Sequence, residues 1–351
     1  MQTNHSSFSQ RLLALLALVF LIVAVSGCSA IGASMKATPT LSNWAGFTSM
    51  PLDDLKARYT NEYSRFVRVN GYTIHYQDRG SGDPIILMHG IFSALQTWDA
   101  WAGELAKTHR VIALDMPGYG LTGGPQNPDD FNEESALDAF EAFVNKLDLD
   151  SVSLAGNSLG GYIAARYAAR NPGRVSRLIL LDPFGYPQDT PWILSLATFP
   201  PVAFIGNYIQ PAWAVTLNLN WVYGDADRIQ QKDYVRYVQM NQRPGAKPLY
   251  IRTLKMIEAR AENFDPPPFK RITAETLLMW GGEDDWVPVS LAGKWMADIP
   301  QAQLIIYPSA GHIPMEELPE ATVRDAERFF DRGLEAVGSR TTSLEQALKG
   351  T

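Results

Sequence analysis

One serine crowded by glycines is the first place where chemistry can be read: Gly156-Asn157-Ser158-Leu159-Gly160-Gly161. An apolar run, Val152-Ser153-Leu154-Ala155, precedes it, and a helix-like stretch from Leu159 to Arg170 follows. Small residues two before and two after Ser158 let a strand and a helix pass close together at a sharp corner. Gly156-Asn157-Ser158-Leu159-Gly160 therefore fits the G-x-S-x-G nucleophile corner, in the strand–turn–helix setting that the pattern needs. The start of the following helix also favours negative charge near the serine.

A hydroxyl becomes a nucleophile at neutral pH only beside a base. Five histidines are available. His5 lies in the N-terminal segment, His75 in a hairpin, and His109 before a strand, at the opposite sheet edge from Ser158. His89 and His312 both follow strands, on the serine's edge. Triads on such a sheet run Ser, Asp, His in chain order, so His312 is the expected base. His89 is expected to hydrogen-bond within its own loop. The base in turn needs a carboxylate to orient its ring. Asp284, in Gly281-Gly282-Glu283-Asp284-Asp285-Trp286-Val287-Pro288, falls between serine and histidine and is favoured. Asp182 is its main rival and Asp285 a weaker one. Asp115 precedes the serine and is expected to tie down its own loop.

These side chains converge only if a parallel sheet carries them. Short apolar runs at Pro84–Met88, Val111–Leu114, Val152–Ala155, Leu178–Leu181, Thr276–Met279 and Leu304–Tyr307 read as strands buried on both faces. Helical segments fit between most of them, around Leu95–Lys107, Glu133–Leu147, Leu159–Arg170, Leu291–Ala297 and Pro319–Phe330. Before them, Arg65–Val69 and Tyr72–Gln77 alternate in polarity about Asn70-Gly71, the favoured two-residue hairpin turn. The fold expected is α/β: a mostly parallel, doubly wound sheet with an N-terminal antiparallel hairpin. Asp182 to about Arg271 breaks the rhythm. Thr190 to Gly224 holds no charged residue but includes Trp192, Trp213 and Trp221. Pro191, Pro200, Pro201 and Pro211 forbid one long helix there. This stretch reads as an inserted cap with an apolar underside, suited to an apolar substrate or a lipid surface. The organisation expected is a signal peptide (1–27), a tether and N-terminal segment (28–64), a first core part (65–182), the cap (183–271), a second core part (272–335) and a polar tail (336–351).

Bulk properties narrow the function. A net charge of −7 argues against a nucleic-acid partner. One cysteine and few histidines make a zinc cluster improbable and an intramolecular disulfide impossible. No cofactor is implied. Gly118-Tyr119-Gly120-Leu121-Thr122-Gly123 matches G-x-G-x-x-G, but Pro125 and Pro128 stand where a dinucleotide site needs a helix. Leu12 to Val25 is uninterrupted apolar after Arg11, too short to span a bilayer, which takes roughly 20 residues, and suited to a secretory signal. Val25-Ser26-Gly27-Cys28 resembles a bacterial lipobox. That resemblance implies lipidation of Cys28 and a lipid-anchored protein of the bacterial cell envelope. Ser29 after the cysteine favours the outer membrane.

The chain resembles an α/β-hydrolase. Met88-His89-Gly90-Ile91 is similar to the family's H-G-x loop. Asp115-Met116-Pro117-Gly118-Tyr119-Gly120-Leu121-Thr122 is similar to its D-x-P-G-x-G-x-S loop, with Thr122 where serine is commoner. Asp284-Asp285-Trp286-Val287-Pro288 and Gly311-His312-Ile313-Pro314-Met315-Glu316-Glu317 resemble its acid and histidine loops. The resemblance covers roughly Phe66 to Gly333 apart from the cap. It is nearest to bacterial lipases and esterases of the family V type, and extends to meta-cleavage carbon–carbon hydrolases. It implies an oxyanion hole made by the N–H groups of Ile91 and Leu159. The expected activity is hydrolysis of small-molecule or lipid carboxylic esters, with Ser158, His312 and Asp284 as the triad. Alternatives are a carbon–carbon hydrolase or a cofactor-free haloperoxidase on the same triad, or a non-catalytic lipid-anchored binding protein. Epoxide hydrolases and haloalkane dehalogenases use Asp where this chain has Ser158. Oligomeric state is not legible.

Overall fold

A computed structural model describes residues 46, 48–125, 127–188, 192–262 and 268–338. The N-terminal apolar segment, Cys28 and the polar tail after 338 lie outside the described residues. Eight strands form one sheet: β1 (Ser64–Val69), β2 (Tyr72–Gly80), β3 (Pro84–Met88), β4 (Arg110–Leu114), β5 (Val152–Asn157), β6 (Val175–Leu181), β7 (Glu275–Gly281) and β8 (Gln303–Tyr307). Their order is β1-β2-β4-β3-β5-β6-β7-β8. β2 pairs antiparallel with β1 and with β4, and all other pairs are parallel. The hairpin turns where expected: Val69 pairs with Tyr72, and Asn70 and Gly71 both take positive φ (45° and 83°), as a type I′ turn demands.

The helices are α1 (Leu52–Tyr59), α2 (Asp99–Leu105), α3 (Glu133–Lys146), α4 (Leu159–Arg170), α5 (Trp192–Thr198), α6 (Pro200–Gly206), α7 (Ala212–Val222), α8 (Gln231–Asn241), α9 (Ala246–Glu262), α10 (Ala292–Asp298), α11 (Pro314–Glu317) and α12 (Pro319–Arg332). Alternation along each strand feeds two apolar layers. Ile86, Met88, Leu154, Leu178, Leu180 and Leu278 pack on one face with Phe140, Phe143 and Ile163 of α3 and α4. Ile85, Leu87, Ala155, Ile179, Leu277 and Met279 pack on the other with Trp101, Phe329 and Phe330 of α2 and α12. Burying such side chains completely stabilises by about 1.5–3 kcal/mol each, so the central strands make a rigid platform whose carboxyl ends hold their loops in place.

Helices α5 to α9 fill the interval between β6 and β7. Prolines start two of them: Pro200 opens α6 and Pro211 is the N-cap of α7. The break-up of this stretch into short helices follows from proline's missing N–H and fixed φ. Among the described residues no helix is long and apolar enough to cross a membrane.

Candidate active site

Ser158 sits between the last residue of β5 and the first of α4, with φ 53° and ψ −120°. A positive φ on a non-glycine residue costs of order 1–3 kcal/mol and persists only where the surroundings impose it. Here the Ser158 N–H donates to the Leu181 carbonyl (3.0 Å), and its own carbonyl accepts from Tyr162 and Phe184. The glycines are explained by contact. A Cβ on Gly160 would lie 2.3 Å from the Met88 carbonyl oxygen, and one on Gly156 2.5 Å from the Gly160 oxygen. The helix leaves the corner in van der Waals contact with both β5 and the end of β3.

His312 follows β8 and is fixed at three points. Its N–H donates to the Val222 carbonyl (2.8 Å), and its carbonyl accepts from Asn157 Nδ2 (2.8 Å). Its ring Nδ1 meets Asp284 Oδ2 at 2.8 Å. The other carboxylate oxygen, Asp284 Oδ1, accepts from the N–H groups of Trp286 (2.7 Å) and Val287 (2.9 Å). The Trp286 ring stacks on the imidazole, centroids 6.1 Å apart. With Nδ1 engaged by a carboxylate, Nε2 is the ring nitrogen left to accept a proton. Ser158 and His312 line one cavity of about 30 Å³.

The structure thus brings Ser158, His312 and Asp284 together. Asp182 is not the imidazole's partner. It is buried at the end of β6 with φ 44°, its N–H donating to the Met279 carbonyl and its Oδ1 accepting from the Gly281 N–H. Burial, and next the charge of Asp284, push its carboxyl well above the usual range. Asp285 is exposed. Ile91 lines the serine's cavity, and Leu159 opens α4, where N–H groups lack helical acceptors. The turn before Ile91 abuts the serine: a Cβ on Gly90 would lie 2.9 Å from Ser158 Cβ.

The remaining histidines and Asp115 take structural places. His89 donates from Nδ1 to the Gly90 carbonyl (2.7 Å) and accepts at Nε2 from the Met116 N–H (3.0 Å). Burial lowers its pKa, keeping the ring neutral. Asp115 accepts from the N–H groups of Leu95 and Leu121, both at 2.8 Å, so it ties down two loops. It also binds His75 Nδ1 at 2.7 Å. Burial alone would raise the Asp115 carboxyl, but His75, His89 and the Leu95 N–H together outweigh it and hold it low. Thr122 serves in serine's place, its Oγ1 donating to the Asp115 carbonyl and accepting from the His75 N–H.

Two features escape sequence reasoning. Glu317, fully buried, accepts from the N–H groups of Gly311, Gly224 and Asp225 and from Arg228 (2.7 Å). Glu316 binds Arg236 (2.5 Å) and the Tyr223 hydroxyl (3.0 Å). Both carboxylates therefore fasten the segment between β6 and β7 to the histidine loop. Their adjacency directly after Gly311-His312-Ile313-Pro314-Met315 is the only sequence signal. The second feature is a cavity of about 290 Å³ lined by Phe92, Val202, Ile209, Val215, Leu254 and others, with Asn218, Asn241 and Gln210 as its amide side chains and no charged residue. It shares Phe92 and Asn218 with the serine's cavity. Among the described residues no group of three or more His, Cys, Asp or Glu is placed to hold a metal ion.

Comparison with known proteins gives consistent results. The profile of the alpha/beta hydrolase fold matches residues 83–319. A 2-hydroxy-6-oxo-6-phenylhexa-2,4-dienoate hydrolase of Burkholderia cepacia is 25% identical over 287 residues, covering 77% of this chain and 97% of that protein. A cis-3-alkyl-4-alkyloxetan-2-one decarboxylase of Shewanella oneidensis is 26% identical, covering 76% and 87%. Among solved structures, a membrane phospholipase A described as a bacterial virulence factor is 25% identical with a TM-score of 0.67, covering 90% of this chain and 97% of its own.

Proposed function

The chain belongs to the α/β hydrolase fold family, and from that premise we propose that it is a serine hydrolase of carboxylic esters, a lipase or medium-to-long-chain carboxylesterase of the family V type. The observation that carries this reading is the uncharged cavity of about 290 Å³ that adjoins the serine's own through Phe92 and Asn218. An acyl chain gains from such a cavity at roughly 25 cal/mol per Å² buried. The solved phospholipase A, alike over most of both chains, supports it.

In this reading Ser158 Oγ attacks the acyl carbon while His312 Nε2 takes its proton. Asp284 holds the ring with its proton on Nδ1 and stabilises the imidazolium. The oxyanion is received by the N–H groups of Ile91 and Leu159, each supplying about 3 kcal/mol of transition-state stabilisation. His312 returns the proton to the leaving alcohol, and water then attacks the acyl-serine by the same route in reverse. Residues 183–271 act as the cap over this site. Residues 1–27 act as the signal peptide, and Cys28, lipidated, anchors the protein to the bacterial envelope.

Carbon–carbon bond hydrolysis is the second reading, favoured by the Burkholderia relative. That relative's substrate is by name a carboxylate. Among the described residues lining the two cavities there is no Arg or Lys, so a carboxylate finds no permanent cation, which weighs towards a neutral ester. The test is a panel of p-nitrophenyl esters of rising chain length. Turnover that increases beyond acetate and vanishes in Ser158→Ala is expected. Turnover retained in that variant refutes the nucleophile, and a steep preference for acetate refutes the long-chain substrate. Cys28→Ser is expected to release the protein from membranes, and an unchanged membrane fraction refutes the lipid anchor.

A further inference from the structure

The apolar cavity opens among side chains that are themselves exposed. Leu196, Ile205 and Leu217 line it and are 42%, 49% and 38% exposed. Beside them Phe204 and Tyr208, packed against each other at 5.7 Å, are 67% and 64% exposed, and Phe199 is 52% exposed. No charged residue occurs anywhere from Thr190 to Gly224. Large apolar side chains gathered round a pocket mouth without a single charge are costly to leave in water.

A second observation says what covers them. The first described residue of the chain lies at this place. Gly46 packs against the backbone of Gln210 and Pro211. The Lys247 ammonium donates to the carbonyls of Gly46 (2.6 Å), Thr48 (3.4 Å) and Tyr208 (3.2 Å), clamping this segment to the turn that follows the helix carrying Phe204. Residues before Gly46 include the apolar run Leu12–Val25. Fully extended, the chain from Cys28 to Gly46 reaches at most about 65 Å. A lipid on Cys28 therefore keeps the body close to a bilayer, with the point of attachment at Gly46 beside the exposed rings.

We infer that the face formed by Leu196, Phe199, Phe204, Ile205, Tyr208 and Leu217 docks on a lipid bilayer and presents the cavity mouth to it, so that an acyl ester passes from the membrane to Ser158 without crossing water. The inference deepens the ester-hydrolase reading and rests on it for the substrate, but not for the contact itself. Docking is apolar, so neutral phosphatidylcholine suffices and added salt does not release it.

The test uses the full chain reconstituted in phosphatidylcholine vesicles. Cysteines introduced as Phe204→Cys and Tyr208→Cys carry a nitrobenzoxadiazole fluorophore. Asp150→Cys, exposed just before β5 at the far edge of the sheet, serves as control, and the parent chain gives the background from Cys28. Doxyl-labelled lipid is expected to quench positions 204 and 208 and to spare 150, equally at low and high salt. Quenching at 204 and 208 no greater than at 150 overturns the inference. So does shielding from an aqueous quencher without lipid quenching, which assigns the face to a second copy or another protein. These readouts do not depend on turnover, so a failed catalytic assignment leaves them interpretable. As a functional arm, Phe204→Ser with Tyr208→Ser is expected to leave hydrolysis of a soluble short ester unchanged. The same pair is expected to lower hydrolysis of a long-chain ester in vesicles by about tenfold. Equal rates on the vesicle substrate count against docking.

Discussion

Asp284→Asn and Asp182→Asn differ by one atom each from the parent, and the geometry assigns them opposite outcomes. In Asp284→Asn the amide orientation is dictated by its neighbours. The Trp286 and Val287 N–H groups, 2.7 and 2.9 Å from Oδ1, require an oxygen there. The amide NH₂ must then occupy the Oδ2 position, 2.8 Å from His312 Nδ1. A donor facing Nδ1 forces the ring proton onto Nε2, the nitrogen that must accept from Ser158. The ring is left in the wrong tautomer with its position unchanged. Loss of the right tautomer in a serine triad costs about 10⁴ in kcat, or about 5.5 kcal/mol of barrier. Asp182→Asn replaces a carboxyl that burial already pushes towards its protonated form. Its oxygen still accepts from the Gly281 N–H, and its NH₂ takes the place of the second carboxyl oxygen. A change in kcat of no more than about threefold is expected, far below the 10²-fold that displacing a reacting group brings. Steady-state kinetics on a soluble ester, with circular dichroism to verify folding, measure both. Comparable losses in the two variants, or a mild loss in Asp284→Asn, refute the assignment of the acid.

Other expected outcomes follow from the same contacts. Asp182 has a folded pKa raised above its unfolded value near 3.9; the native state then binds more protons than the unfolded state above that pH, and stability falls as pH rises, by up to about 1.4 kcal/mol per unit. Asp182→Asn removes this dependence, so urea melts taken from about pH 4 upwards are expected to show its advantage over the parent growing with pH; a constant difference refutes the raised pKa. Gly160→Ala sets a Cβ against two backbone carbonyls that cannot yield, and is expected to lose soluble expression or most stability, measured by thermal melting. Glu317→Gln takes an acceptor from its buried N–H and guanidinium partners and leaves Arg228 only the longer contact to Asp225, costing about 2–4 kcal/mol and lowering kcat through the histidine loop. Val202→Trp fills the apolar cavity, and is expected to cut kcat/KM for octanoate and longer esters at least about tenfold, with acetate unchanged.

What the sequence reveals here is what local pattern controls. The six parallel strands are legible because burial on both faces demands unbroken apolar runs, as at Leu178–Leu181 and Leu304–Tyr307. The Asn70-Gly71 turn is legible because few dipeptides accept two positive φ values. Ser158 announces itself through Gly156 and Gly160, whose role is steric and short-range. The choice between Asp284 and Asp182 is not local: both follow strands, and only the loop after β7 turns its carboxylate to His312. Helix α1 lies in the N-terminal segment before residue 65 and is not legible there, because it buries only Leu55 along its length. The number of helices in the inserted segment, and the cavity between them, depend on contacts far apart in the chain. Composition signals an apolar underside but not its shape.

The carboxylates after the histidine loop join these two levels. His312 is held from one side by Asp284 and Asn157, both on the sheet edge, and from the other by Val222, at the end of α7. Gly311 passes so close to this segment that a Cβ there would lie 2.4 Å from the Val222 carbonyl. Glu317 then binds Gly311 on its own loop and Gly224 and Asp225 on the other, making one hydrogen-bonded unit of the two. Helix α7, which ends at Val222, also supplies Asn218 at the junction of the two cavities and Leu217 at the mouth. A displacement of α7 by an arriving acyl chain is therefore felt at the backbone of His312 within one helical turn. Weakening this unit through Glu317→Gln should lower kcat more for long-chain esters, which press on α7, than for acetate, which does not. Equal losses on both substrates would make Glu317 a stabilising residue alone, with no part in carrying substrate length to the base.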